Sequence, residues 1–154
     1  MQLSEFLKNI KGKILIAGIG NPLRGDDAVG SYIVKRLIDD KINAVLINCE
    51  DQLERFIEKI IQHKPETIIF IDALQMNQKP GSVTFLTEEN LENIRVSTHQ
   101  GNLSMCIKYI KSKIKTKIFI IGIQPENTDF GKPISEKVLN TAETLRSILL
   151  SSIK

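Results

Sequence analysis

The chain has 154 residues, 42% of them hydrophobic and 25% charged, and carries a formal net charge of +3. Chains of about 150 residues bury roughly 70% of the surface they expose when unfolded, so one domain over residues 1–154 is expected, and the ordinary composition excludes global disorder. The mild positive balance is concentrated at Lys108, Lys111, Lys113, Lys115 and Lys117 with only Tyr109 among them, which reads as a solvated helix face and not as a nucleic-acid footprint.

Two cysteines, Cys49 and Cys106, stand far apart in sequence without CxxC spacing. They form neither a disulfide framework nor a zinc knuckle, both fall on apolar-periodic segments, and a reducing cytoplasm suits them. Met1 to Lys11 lacks the apolar run of a signal peptide; Leu3, Phe6, Leu7 and Ile10 instead mark a short amphipathic helix. No segment approaches the roughly 20 apolar residues that span a bilayer. The expected protein is soluble and cytoplasmic.

In chain order, the first predicted strand is Lys13 to Ile19, followed by a loop rich in Gly, Asn, Pro and Asp. Val29, Ile33, Val34, Leu37 and Ile38 then stripe a helix. A second strand, Ala44 to Asn48, leads to a helix striped by Leu53, Phe56, Ile57, Ile60 and Ile61, and a third strand runs from Thr67 to Asp72. After the turn signal Lys79-Pro80-Gly81 comes Ser82 to Thr87, whose alternation marks an edge strand antiparallel to its neighbour. A helix striped by Leu103, Cys106, Ile107 and Ile110, a fifth strand from Lys117 to Ile123, and a last helix striped by Val138, Leu139, Ala142, Leu145 and Leu149 complete the chain. The other strands are continuous apolar runs, as expected where both faces are covered. The fold class is therefore α/β: a three-layer α/β/α sandwich around a mostly parallel five-stranded sheet with one antiparallel edge strand.

Ligands of such sheets bind beyond the carboxyl ends of the strands, near a topological switch point. Gly18-Ile19-Gly20-Asn21-Pro22-Leu23-Arg24-Gly25-Asp26-Asp27 follows the first strand. Its GxG opening is no dinucleotide fingerprint, because Leu23 holds the third glycine's place and two carboxylates would repel a pyrophosphate. Asp26 suits a helix N-cap, which leaves Asp27 without a structural task. Asp72 ends the third strand in Ile-Ile-Phe-Ile-Asp-Ala, on the same rim; alone it also reads as a turn former. Of the two histidines, His63 closes a helix, whereas His99 lies in the polar run Val96 to Gln100. Two carboxylates and one imidazole from different rim loops suit an open N/O metal site for Zn, Ni, Mn or Fe(II). Glu126 and Asp129, after the fifth strand, extend an acidic mouth that favours a cationic or metal-bearing ligand.

Gly20 to Gly30, within GIGNPLRGDDAVG, resembles the G-N-x-L-x-x-D-(D/E)-x-x-G signature of hydrogenase maturation proteases. Ile71-Asp72-Ala73, Ser97-Thr98-His99 and Gly122 to Ser135 occur in that family's order, and the last segment is similar to the hydrogenase-3-type branch. The resemblance runs from about Lys13 to the chain's end. It implies a sheet flanked by helices, with Asp27, Asp72 and His99 at the positions of the family's metal ligands. Asp27 stands where some members have Glu, and the loop Gln100-Gly101-Asn102 varies more, so substrate preference does not carry over; Gln124 and Phe130 receive no role.

The implied activity is that of an endopeptidase removing a C-terminal peptide from the nickel-loaded precursor of a NiFe-hydrogenase large subunit. The nickel is then substrate-borne, with no organic cofactor. Asp27, Asp72 and His99 would complete its coordination and Asp26 would be a candidate general base. No G-x-S-x-G elbow or Cys/His pairing points to a side-chain nucleophile. Two alternatives stay open: a peptidase or amidohydrolase holding its own metal, and a nickel-checkpoint module that binds the precursor without cutting it.

Overall fold

In the computed structural model, which describes residues 3–93 and 101–153, the five expected strands form one sheet in the order β2-β1-β3-β5-β4. They are β1 (Ile14–Ile19), β2 (Val45–Glu50), β3 (Thr67–Ala73), β4 (Val83–Thr87) and β5 (Lys117–Ile123). β1 pairs in parallel with β2 and β3, and β3 with β5, while β4 lies antiparallel on β5 at the edge. This is the mixed sheet that the apolar runs and the alternating fourth segment predicted.

Five α-helices surround it: α1 (Leu3–Asn9), α2 (Val29–Asp40), α3 (Ile57–His63), α4 (Gly101–Lys113) and α5 (Glu136–Ser152). Strand alternation sorts the core into two layers. Leu15, Ala17, Ile68, Phe70 and Ile120 meet α3 and α4 through Ile57, Ile60, Leu103, Cys106, Ile107 and Ile110. Ile16, Ile69, Ile71 and Ile121 meet α2 and α5 through Val29, Ile33, Val34, Leu37, Val138, Ala142, Leu145 and Leu149. α1 docks at the sheet edge, where the Phe6 ring lies 4.2 Å from Phe119 and 4.8 Å from Phe85.

Three expectations shift in detail. Leu53–Phe56 forms a 3-10 turn before α3 instead of one continuous helix. β2 runs two residues further than the sequence suggested, ending at Glu50 with φ of 51°. Ile38 is half exposed: at about 100° per residue it lies roughly 40° beyond Val34, on the solvent side of the buried stripe.

The sheet order fixes the switch point. From β1 the chain moves outward to β2 and then crosses back to β3 on β1's other side. The loop after β1 and the carboxyl end of β3 therefore share one rim. Among the described residues, no helix is long and apolar enough to cross a membrane.

Candidate active site

The rim is built by close backbone packing. The last β1–β3 pair is Gly18 with Ile71, and α2 presses into the crevice just above it. A Cβ on Gly18 would meet the Gly30 carbonyl oxygen at 2.3 Å, and one on Gly30 would meet those of Ile71 at 2.1 Å and Ile19 at 2.4 Å. Only hydrogen fits at these two positions. The same requirement shapes the loop between them. Gly20, at φ of 139°, faces the Asp27 carbonyl oxygen at 1.7 Å from its would-be Cβ, and Gly25, at φ of 54°, faces that of Asn127 at 2.4 Å.

Within this loop the two aspartates diverge in role. Asp27, 8% exposed, presents its carboxylate at the rim, where Oδ2 accepts the Asn21 backbone N–H at 2.9 Å. Asn21 extends the arrangement: its Oδ1 accepts the Leu23 N–H at 2.9 Å, and its Nδ2 donates to Asp51 Oδ2 at 3.3 Å. One residue thus orients Asp27, shapes the loop and ties it to the segment after β2.

Asp26 is fully buried and does not serve as the foreseen N-cap. It lies inside the 3-10 turn Gly25–Ala28, whose N-cap position is Arg24, so it caps no helix of its own. Oδ2 accepts the N–H groups of Glu126 at 2.8 Å and Asn127 at 3.0 Å and the Ser135 hydroxyl at 2.9 Å, while Oδ1 accepts the Ser135 N–H at 2.6 Å. Three of these donors converge on Oδ2 and one on Oδ1. Full burial and four hydrogen bonds give Asp26 a structural role; its part as general base stays an expectation. It fastens residues 126–135 to the loop after β1, helped by Gly25 N–H to Lys132 O at 3.0 Å and Asp26 N–H to Asn127 O at 2.8 Å.

Asp72, 2% exposed, pairs in register with Gly122 and stands one residue past the end of the β1–β3 ladder. Ile68 and Phe70 belong to the core layer beneath α3 and α4, and alternation gives Asp72 the same side. The turn that carries Asp27 packs against β3, the strand to which Asp72 belongs. His99 lies outside the described residues. Among the described residues, no three His, Cys, Asp or Glu side chains assemble as a metal-holding group.

Gln124, given no role by the sequence, is the residue missed. Buried directly after β5, it accepts the N–H groups of Met76 at 2.7 Å and Gln78 at 3.2 Å and donates to Gln75 Oε1 at 2.6 Å. It thereby orders the segment that follows Asp72. Its signal was the same as that of Asp72, a polar residue ending an apolar strand.

The cysteines take no part in such chemistry. Burial pushes the Cys49 thiol up to about 12, with Cys106 adding to the shift, and burial likewise raises Cys106. Neither supplies a thiolate near neutral pH. Cys49, from β2, and Cys106, from α4, pack into the same core layer.

Comparison with known proteins agrees with this architecture. Residues 28–152 match the family model described as hydrogenase maturation protease. A Methanocaldococcus jannaschii protein provisionally named a hydrogenase maturation protease is 39% identical, over 99% of this chain and 94% of its own. The hydrogenase 3 maturation protease of Escherichia coli is 28% identical over 82% of each chain. The crystal structure of the NiFe-hydrogenase maturation protease HycI from Thermococcus kodakarensis superposes with a TM-score of 0.87, at 30% identity and 97% coverage of each chain. The chain belongs to the hydrogenase maturation protease family, a family of endopeptidases.

Proposed function

We propose that this protease removes a C-terminal peptide from the nickel-loaded precursor of a NiFe-hydrogenase large subunit, reading the substrate's nickel with Asp27, Asp72 and His99. The observation that supports this reading is that the turn carrying Asp27 packs against β3, the strand in which Asp72 stands next to the carboxyl end, beside the β1/β3 switch point. Open α/β sheets bind their ligands at such a crevice. Both carboxylates are nearly buried, and carboxylate oxygens are the hard donors that divalent cations take. The third member, His99, comes from the family resemblance of Ser97-Thr98-His99.

In this mechanism the Asn21 N–H fixes one Asp27 oxygen and so orients the carboxylate toward the rim, the service an outer partner performs for a metal ligand. Asp72, set in the strand ladder, supplies a second fixed oxygen. Binding the precursor's nickel at these groups brings the scissile peptide into register, and positioning of that kind lowers a barrier without a side-chain nucleophile. A nickel ion beside the bond polarises its carbonyl or lowers the pKa of a water.

Intact-mass analysis of the precursor, nickel-loaded and nickel-free, incubated with this protein tests the proposal. Loss of one C-terminal peptide from the nickel-loaded form alone is expected. Binding with unchanged mass would instead make the chain a checkpoint module. Equal cutting of both forms, with a stoichiometric ion in the isolated protein, would make it a peptidase with its own metal.

A further inference from the structure

Two large apolar side chains stand in solvent beside the candidate site: Leu23 is 59% exposed and Phe130 is 73% exposed. Single exposed apolar residues are ordinary, but adjacent ones on a fixed surface mark interaction sites. These two are adjacent through the backbone, since Gly131 N–H donates to Leu23 O at 2.8 Å. Their loops are fixed as well. The Phe130 segment is fastened by Asp26 at Glu126, Asn127 and Ser135, and Arg24 Nε donates to Thr128 O at 3.3 Å. The Leu23 N–H is held by Asn21 Oδ1, and Asn21 N–H holds Asp27.

Pre-organised backbone that displays apolar side chains to water is the arrangement expected of a binding anchor, because little ordering remains to be done when a partner arrives. We infer that Leu23 and Phe130 form a docking surface for an apolar residue of the precursor segment adjoining the cleaved bond. The occupant follows from continuity. Asn21 bonds both Leu23 and Asp27, and Gly131 N–H bonds Leu23 O, so the apolar pair adjoins the carboxylate proposed to take the substrate's metal. The inference rests on the proposed function and assigns its substrate-binding surface.

The test is a Leu23→Ser/Phe130→Ser double variant of the full chain, assayed on the purified nickel-loaded precursor by intact mass. Both residues are exposed, so the melting temperature should stay near that of the unsubstituted protein. KM should rise about tenfold or more with kcat little changed, the mark of lost binding shared by ground and transition states. Leu23→Met with Phe130→Leu should restore KM. A double variant with unchanged KM would overturn the inference. Should the unsubstituted protein fail to cut, the function proposed above falls, and direct binding of the precursor still decides the surface: weaker binding by the double variant supports it, equal binding overturns it. Self-association through this face, abolished in the double variant while precursor affinity stays constant, would make a second copy the occupant and also overturn it.

Discussion

Asp26 accepts both the backbone N–H and the side-chain hydroxyl of Ser135, at 2.6 and 2.9 Å, across 109 residues of sequence. Ser135 is the N-cap position of α5. The contact therefore joins the loop after β1 to the start of the last helix and closes the rim on which Asp27 stands. Asp26→Ala should cost about 2–3 kcal/mol, because it removes four part-buried hydrogen bonds, whereas Ser135→Ala removes one hydroxyl bond and should cost about 1 kcal/mol. Urea denaturation of the two variants measures the difference; equal losses would contradict the hub role of Asp26.

Gly30→Ala places a methyl group against the carbonyl oxygens of Ile71 and Ile19, at 2.1 and 2.4 Å from the new carbon. Backbone atoms on a central strand cannot move aside cheaply, so a destabilisation of about 1–3 kcal/mol or more is expected. The displacement also falls next to Asp72, and processing should drop further than stability alone explains. Thermal unfolding and a processing assay on the same sample check both.

On the outer face, α2 and α5 are clasped by Arg146, which reaches Asp40 through Nε at 2.5 Å and Nη2 at 2.6 Å and Glu143 through Nη1 at 2.9 Å. Hydrogen bonding to Arg146 holds Asp40 below the usual carboxylate range, and bonds from the Tyr32 hydroxyl and Arg146 do the same for Glu143. Carboxylates depressed in the folded state contribute stability above their unfolded pKa of about 4, and lose it as pH falls through the folded value. Arg146→Met should therefore lower the melting temperature near neutral pH and flatten its decline below about pH 4. Unfolding followed from pH 3 to 7 checks this, and an unchanged acid slope would count against the clasp.

Both thiols are buried and raised, Cys49 to about 12. Iodoacetamide at neutral pH should leave the native protein unmodified by mass and its processing rate intact. Rapid alkylation with parallel inactivation would reopen thiol chemistry.

Much of this was legible in the sequence for identifiable reasons. β1, β3 and β5 are buried on both faces, and their unbroken apolar runs show it; β4 lies at the edge, where Leu86 packs into one core layer and its neighbour Phe85 against the other. Asp72 stood out as a carboxylate closing an apolar strand, and Asp27 as the second of two acids where a cap needs only one; their joint role is the proposal above. Asp26 was misread as a cap because its partners lie about 100 residues away, and no local rule reports such contacts. Gln124 carried the local signal of a polar residue after an apolar strand, but its partners Met76 and Gln78 lie on a separate loop, so its task was not legible.

The most direct measurement compares single-turnover processing of the nickel-loaded precursor by the unsubstituted protein and by Asp27→Asn, which removes the charge while leaving an oxygen to accept the Asn21 N–H. A native melting temperature with cleavage slowed about 100-fold or more is the expected result. Cleavage at the unsubstituted rate by a natively folded Asp27→Asn would contradict the central claim that this carboxylate reads the substrate's metal.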